Sequence, residues 1–552
     1  MARGGKTASA TALAPAPAAG WPGRFMPWLV LAAALALAGV LRWRLADMPL
    51  ERDEGEYAYA GQLLLDGVPP YRLAYNMKYP GTYAAYALIM AVFGQTPRGI
   101  HAGVILVTSA TAVLVFFVGR RLFGAGAGAA AAACHAVLAT NPSFLALAGH
   151  ASHFVALAAM GGVALVLRGL DRGGRWIFLA AGACFGLAIL MKQPGAVFLA
   201  FAALYLAVHE WRARPRSWRR TGERLGLLLG AAALVLGATF LALAAAGVFG
   251  TFWFWTFEYA RAYGGYVSLE AGARQLMTML ERFAWPMLGL AALSAAGIAA
   301  VLLCRRYRAG AAAALGLLVF SFIGTGAGLH FRHHYFILML PALALLAGAA
   351  GGAAADLLGR TRLGRAAWAG PAAALAASCG WMIAQERAVL FEGAPAVACR
   401  TLYTMNPFPE SIEIAGYIES RTSPGDTIAV LGSEPQIYFY ARRRSATGYI
   451  YTYGLMEPQP FARRMQEEMI AEIEAARPAY VVVSNVVTSW VVRPDSDRTI
   501  FEWGRQYLAR NYDRVGVIDI LSATRTDYYW NEWAAQTAPR SSAFLAVYKR
   551  RS

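Results

Sequence analysis

The sequence predicts a mostly α-helical, polytopic membrane protein with an external α/β lobe at its C-terminal end. Three observations predict it. Of 552 residues, 58% are hydrophobic and only 15% charged, against roughly a quarter charged in soluble domains, and mean hydropathy is +0.43. Apolar runs of about 20 residues, the length that crosses hydrocarbon, recur between residues 28 and 385. The charge is also split: residues 1–385 hold 31 Lys/Arg and 13 Asp/Glu, a net +18, whereas residues 386–552 hold 19 of each. This composition excludes a disordered chain. A net charge of +18 suits nucleic acid, but here it sits in short clusters between apolar runs, as in multi-span membrane proteins, so no nucleic-acid partner is expected.

Residues 1–24, with Ala-Pro-Ala-Pro inside, read as a flexible basic cytoplasmic tail. The run 28–45 is long, lacks a cleavage site and precedes many others, so it reads as an uncleaved first helix rather than a signal peptide. Further runs lie at 99–119, 125–140, 148–167, 176–191, 194–209, 225–247, 284–303, 309–328, 334–354 and 366–385, giving about 11 spans within a domain of residues 25–385. With the N-terminus cytoplasmic, the inside loops carry Arg120–Arg121, Arg168/Arg172/Arg175, the Arg212–Arg224 cluster, Arg305/Arg306/Arg308 and Arg360/Arg362/Arg365. The positive-inside rule is then obeyed throughout. Two external loops follow, 46–98 and 248–283, and residues 386–552 are also external. The apolar segment Tyr83–Phe93, too short to span, reads as an interfacial helix.

Residues 386–552 read as a soluble α/β lobe. Strands are expected at Thr427–Gly432, Tyr480–Ser484, Val515–Ile520 and Phe544–Tyr548, with a helix at Phe461–Ala476. Gly432 sits in a lone Leu-Gly-Ser-Glu-Pro turn, so no phosphate loop is present. Of the five cysteines, Cys134, Cys184, Cys304, Cys379 and Cys399, four lie in apolar runs without disulfide or zinc spacing. The Ala/Gly runs, such as Gly124–Ala133 and Gly348–Ala355, predict close helix packing.

Chemistry-bearing residues cluster at the external ends of spans. Glu51-Arg52-Asp53-Glu54-Gly55-Glu56-Tyr57 opens the first external loop. It suits a solvated helix cap, and equally a carboxylate base for a hydroxyl or amine. Lys78, in Asn76-Met77-Lys78-Tyr79-Pro80-Gly81, suits either snorkelling or a phosphate contact. In His330-Phe331-Arg332-His333-His334-Tyr335 an interfacial belt competes with a phosphate fork at Arg332. A metal pair at His330/His333 lacks a carboxylate partner. His150 and His153 read as packing histidines. Lys192 reads as a turn marker or a third phosphate cation. The aromatics Phe252–Tyr266 read as a membrane-interface belt or a sugar or lipid groove.

Taken in order, Arg-Asp-Glu-Gly-Glu-Tyr at 52–57 after a first span, Leu-Leu-Leu-Asp-Gly-Val-Pro-Pro-Tyr at 63–71, Lys78-Tyr79-Pro80, and Arg332-His333-His334-Tyr335 before a Leu-Pro resemble the GT-C membrane glycosyltransferases. Within these the resemblance is to the protein O-mannosyltransferases and aminoarabinose transferases (glycosyltransferase family 39/83-like), and it covers about residues 26–385. It implies a GT-C fold and inverting transfer from a polyprenyl-phosphate sugar to a lipid, glycan or protein acceptor outside the plasma membrane. By position, Asp53 resembles the catalytic base and Glu54 its acidic neighbour. Lys78 and Arg332 resemble the donor-phosphate residues, with Tyr57, His333 and Tyr335 binding substrate beside them. Lys-Tyr-Pro-Gly departs from the family's Lys-Pro-Pro-Leu. The resemblance implies no cofactor and no required metal, although some relatives use a divalent ion. A transporter or lipid-linked sugar flippase is the alternative from another class, but it leaves the long external loops and lobe without a purpose and lacks visible inverted repeats. A scaffolding membrane protein is a third.

Overall fold

A computed structural model describes residues 21–213, 215–362 and 364–551. The predicted basic tail lies outside these residues except for its last four, which open the first helix. The helices up to residue 245 are α1 (Trp21–Arg44), α2 (Arg52–Leu65), α3 (Gly81–Phe93), α4 (Pro97–Phe123), α5 (Ala125–Leu138), α6 (Ala151–Arg172), α7 (Arg175–Met191), α8 (Ala196–Arg212) and α9 (Trp218–Ala245). Helices Leu269–Ala284, Leu288–Leu303, Ala311–Thr325, Leu340–Leu358 and Ala369–Gln385 follow.

Among the described residues, eight helices are long and apolar enough to cross a membrane, and a ninth span arises if Leu269–Ala284 and Leu288–Leu303, bent by 108°, count as one. The chain is a multi-pass membrane protein. Every apolar run read from the sequence is helical. A bundle of about 11 spans requires the shorter α5 and α7, and Leu288–Leu303 by itself, to cross as well. The largest core runs through this bundle, with Leu340–Leu358 at its centre. Small side chains permit its tightness: a Cβ on Gly348 would collide with the Ala127 carbonyl oxygen of α5.

The loop between α1 and α4 carries α2 and α3. Glu51 caps α2 with a capping box. Its side chain accepts from the Glu54 N–H at 3.0 Å, and the Glu54 carboxylate accepts from the Glu51 N–H at 3.4 Å. The acidic run is therefore a helix cap, but a buried rather than a solvated one.

The C-terminal lobe holds one six-stranded mixed sheet, ordered β2-β1-β3-β6-β4-β5, from β1 (Thr427–Leu431), β2 (Arg444–Ser445), β3 (Tyr480–Ser484), β4 (Tyr512–Ile520), β5 (Thr526–Trp530) and β6 (Phe544–Arg550). β2, β1 and β3 run parallel, and β6 pairs antiparallel with β3 and β4. The helix Ala462–Ala476 falls between β2 and β3, as its periodicity predicts. The lobe does not stand apart from the membrane domain. Tyr57, Tyr59, Tyr83 and Tyr86 of α2 and α3 share one apolar core with Ile437, Tyr438, Ile518 and Leu545. The Ser445 N–H donates to the Tyr59 hydroxyl at 2.7 Å, and the Leu50 N–H to the Tyr440 hydroxyl at 2.8 Å.

Candidate active site

A cavity of about 430 Å³ opens where α2, the Lys78 loop, the start of α6, the α7–α8 turn, residues 255–264, residues 327–335 and the lobe meet. Its size falls within the ~300–1,000 Å³ usual for small-molecule sites. Asp53, Lys78, Lys192, Arg332, Tyr335 and Tyr451 all face it.

Asp53 is presented by the first turn of α2, which the capping box starts and the lobe fixes. The preceding Arg52 is buried against the lobe. Its guanidinium pairs with Glu434 at 3.2 Å and donates to the Ser433 carbonyl, the Asn406 side chain at 3.1 Å and the Tyr453 hydroxyl at 3.0 Å. At Gly55, α2 touches the helix Gln436–Ala441 so closely that a Cβ would lie 2.7 Å from Gln436 Cβ. The turn that bears Asp53 is thus clamped from both sides.

The Lys78 ammonium lies 2.8 Å from Asp53 Oδ1 and 2.7 Å from Glu56 Oε2. It also sits over the Tyr57 ring at 4.6 Å and the Tyr451 ring at 5.4 Å. Its loop is held by the Tyr71 hydroxyl, which donates to the Lys78 carbonyl at 2.7 Å, and by the Gln193 amide, which donates to the Met77 carbonyl. Glu56 accepts a further bond from the Tyr83 hydroxyl at 2.7 Å.

Burial alone would raise the Asp53 carboxyl, but the basic groups around it, Lys78 first and then His334 and His150, together hold it below the ordinary carboxylate value. Burial would lower Lys78, and the two carboxylates hold it well above its ordinary value instead. At Glu56 burial wins over Lys78, and the carboxyl is raised. Asp53 Oδ2 accepts no hydrogen bond from the described residues. It faces His150 Nδ1 and His334 Nε2, each at 3.8 Å, whose rings stack at 4.1 Å. Burial pushes His150 down to about 4, so it meets Asp53 as neutral imidazole.

Asp53, Tyr57, Lys78, Arg332, His333 and Tyr335, all read from the sequence, are brought together around the cavity. Glu54 is not. Its fully buried carboxylate turns away, accepting from the Gly149 N–H at 2.6 Å and pairing with His101 at 3.1 Å, so it holds the α2 cap against α4 and α6. His330 stacks on Tyr263 at 4.2 Å and forms no metal pair with His333, whose Nδ1 bonds the Ser143 carbonyl oxygen at 3.1 Å. The group with metal-ligand spacing among the described residues is Asp53, His150 and His334, with ligand atoms within 4.8 Å of one another. These residues fit a divalent ion in donor type, although an ammonium already occupies the other Asp53 oxygen.

Arg332 reaches the cavity after a contorted stretch. Gly328, Leu329 and Phe331 have positive φ, which buries Phe331 and exposes Arg332. Lys192 enters from the α7–α8 turn with its ammonium 3.6 Å from the centre of the Tyr335 ring. Sequence reasoning missed the paired role of Glu56, the placement of His150, and the lobe's Tyr451, Tyr453 and Glu457, which also line the cavity. The one local signal for the last group is the aromatic run Tyr449-Ile450-Tyr451-Thr452-Tyr453-Gly454 following β2.

Residues 78–242 match the family model described as dolichyl-phosphate-mannose-protein mannosyltransferase. No curated protein sequence matches the chain. Among solved structures the chain is similar to ArnT from Cupriavidus metallidurans bound to undecaprenyl phosphate, with a TM-score of 0.58 and 18% identity over 94% of this chain and 98% of that one. The apo state of the same ArnT gives 0.56 and 16%, over 95% and 98%. The archaeal oligosaccharyltransferase AglB from Archaeoglobus fulgidus, in complex with an inhibitory peptide and a dolichol-phosphate, gives 0.52 and 12%, over 93% and 75%. The fold is the GT-C fold, with its helical membrane domain and a C-terminal sheet lobe.

Proposed function

We propose that this protein is an inverting glycosyltransferase that moves a sugar from a polyprenyl-phosphate donor to a cell-envelope acceptor. The work is done on the extracytoplasmic face of the inner (plasma) membrane, with the N-terminus cytoplasmic, as the basic inside loops support. The observation that carries the reading is a single cavity beside the membrane helices that holds both the half-buried Asp53 carboxylate and the basic side chains Lys78, Lys192 and Arg332. The mannosyltransferase family match and the likeness to a fold seen with undecaprenyl phosphate and dolichol-phosphate support the lipid-phosphate donor.

The acceptor hydroxyl or amine attacks C1 of the sugar, and the C1–O bond to phosphate breaks. Asp53, which lines the cavity, takes the acceptor proton on Oδ2, the oxygen not paired with Lys78. The electron pair leaves with the lipid phosphate, which gains one negative charge that Arg332 faces. Tyr57, His333 and Tyr335 bound the substrate space. One carboxylate suffices because a phosphate leaving group needs no acid, unlike two-carboxylate glycoside hydrolysis. No metal is required in this scheme, since Lys78 supplies the positive charge beside Asp53.

The test compares cell-envelope lipids and glycans by mass spectrometry in cells making the wild type, Asp53→Asn, or neither. A glycosylated species that needs the wild type is expected to be lost with Asp53→Asn, while the variant stays folded and membrane-inserted. Transfer should drop by ~10²–10⁴-fold. Undiminished transfer, or loss of solute flux instead, refutes the assignment.

A further inference from the structure

The helix Leu269–Ala284 is divided around its circumference into strips of different character. At 100° per residue, Gly272, Met279 and Phe283 fall within about 40° of one another, and all are buried in the protein. On the adjoining side Leu269, Ala273, Met277, Leu280 and Ala284 fall within about 80°. All of these are exposed, Leu269 to 80%, Met277 to 55% and Leu280 to 47%. Glu270, Arg274, Thr278, Glu281 and Arg282 make up the remaining, polar side, which is also exposed. A bare apolar arc of this extent marks a contact with another apolar phase or partner.

The neighbourhood identifies the occupant. Charges along its whole length keep this helix out of the hydrocarbon, and it turns by 108° into the apolar helix Leu288–Leu303. A helix turned so far from one that crosses the membrane lies nearly flat on the surface, the geometry of an interfacial amphipathic helix. At the bend Trp285 is 59% exposed. Its carbonyl accepts from the Trp381 indole N–H at 3.0 Å, and the two rings lie 5.1 Å apart. Trp381 stands near the end of the apolar helix Ala369–Gln385 from which the chain enters the lobe. Tryptophans gather at headgroup level, so the bend lies there. The bare arc runs on from it through Trp285 to the exposed Leu288.

We propose that the helix Leu269–Ala284 is seated on the lipid surface on the lobe's side of the membrane, its bare arc in the lipid, and that this seating braces the cavity wall at residues 327–332. The covered strip is the link. A Cβ on Gly272 would lie 2.8 Å from Leu329 Cβ, so the helix backbone presses on the stretch in which Gly328, Leu329 and Phe331 have positive φ. The Phe283 ring meets Phe336 at 5.0 Å and Phe144 at 4.6 Å, and Met279, Phe283, Phe331 and Phe336 belong to one core. A strained stretch persists only where its surroundings hold it, and here one of those surroundings rests on lipid. Neither the seating nor the bracing depends on the transfer chemistry above.

The experiment uses the purified full-length chain in nanodiscs of phosphatidylcholine and phosphatidylglycerol. Met277→Cys, Leu280→Cys and Thr278→Cys are each labelled with a small fluorophore, and the signal of the labelled parent chain is subtracted. Doxyl lipid is expected to quench the Met277→Cys and Leu280→Cys labels about twofold or more beyond the Thr278→Cys label, and aqueous iodide the reverse. Equal quenching by iodide at the three positions overturns the seating. Protection of Met277→Cys and Leu280→Cys from both quenchers also overturns it, because a second copy of the chain then covers the arc. The bracing is read by backbone hydrogen exchange over residues 327–332. Leu280→Glu and Met277→Glu are each expected to raise that exchange about tenfold or more, with Thr278→Glu and the core helix Leu340–Leu358 unchanged. No rise, a rise that Thr278→Glu shares, or one that extends to the core helix overturns the bracing.

Discussion

Replacing Lys78 with methionine removes the one cation shared by Asp53 and Glu56, and the consequence is a new dependence on pH. In the wild type the Asp53 carboxyl is held below the ordinary value of 3.8. A depressed carboxylate contributes stability that is complete above the unfolded-state value and is lost as pH falls through the folded one. Asp53 in the wild type therefore stays ionised from about pH 5 to pH 8. In Lys78→Met, the half-buried Asp53 and the buried Glu56, which shared an ammonium, face each other unpaired. Breaking a buried pair by deleting one partner costs ~3–5 kcal/mol. The site sheds that cost by binding a proton, and a proton held between the carboxylates disables the base. At 1.36 kcal/mol per pH unit, the penalty is large enough to bring an acid limb into the physiological window. The assay is transfer by the purified variant at saturating donor across that range. Activity at about pH 5 should be at least tenfold below activity at pH 8, whereas the wild type shows no such slope. A variant whose profile stays flat and whose loss lies entirely in donor KM refutes the reasoning, because Lys78 would then act on the donor rather than on the base.

Arg52→Ala leaves Glu434 buried without its partner, so thermal unfolding in detergent should show a loss of ~3–5 kcal/mol, and transfer should fall with it as α2 loosens from the lobe. An unchanged melting profile would mean that the lobe does not hold the base-bearing turn. Dialysis against a chelator should leave transfer intact. Activity that is lost, returns with a divalent ion, and is absent from His150→Ala and His334→Ala would instead make Asp53, His150 and His334 a metal centre.

What the chain reveals before folding is set by range. Each apolar run is a local property and each became a helix, as did Gly81–Phe93, which contains the segment Tyr83–Phe93 read as a helix. Strands β1, β3, β4 and β6 were legible because their buried residues are contiguous apolar runs. β2 has two residues, and β5, Thr-Asp-Tyr-Tyr-Trp, is a half-buried edge whose polar residues carry no alternation; neither offers a pattern. The acidic run at 51–56 shows the same division. The helix cap was local and legible, whereas its burial depends on Gln436 and Glu434, nearly four hundred residues away. Glu54, adjacent to Asp53 in sequence, points away from the cavity into contacts with His101 and Gly149, because successive helical residues point in directions about 100° apart.

The charged residues make the deeper case. Sequence names which side chains bear charge, but a cation's chemistry depends on which counter-ions reach it. Lys78 and Lys192 are equivalent as letters beside apolar segments. One lies between two carboxylates and the other lies on a tyrosine face with none. The pairing is decided by α2, whose i and i+3 positions place Asp53 and Glu56 on one face pointing at the Lys78 loop, and by the α7–α8 turn, which brings Lys192 in from the far side. A role transferred by motif assumes that the neutralising partners travel with it. Where Lys-Pro-Pro-Leu becomes Lys-Tyr-Pro-Gly, the lysine keeps its place in the order of motifs. The surrounding fold, rather than the motif position, decides which counter-ions it meets, here Asp53 and Glu56.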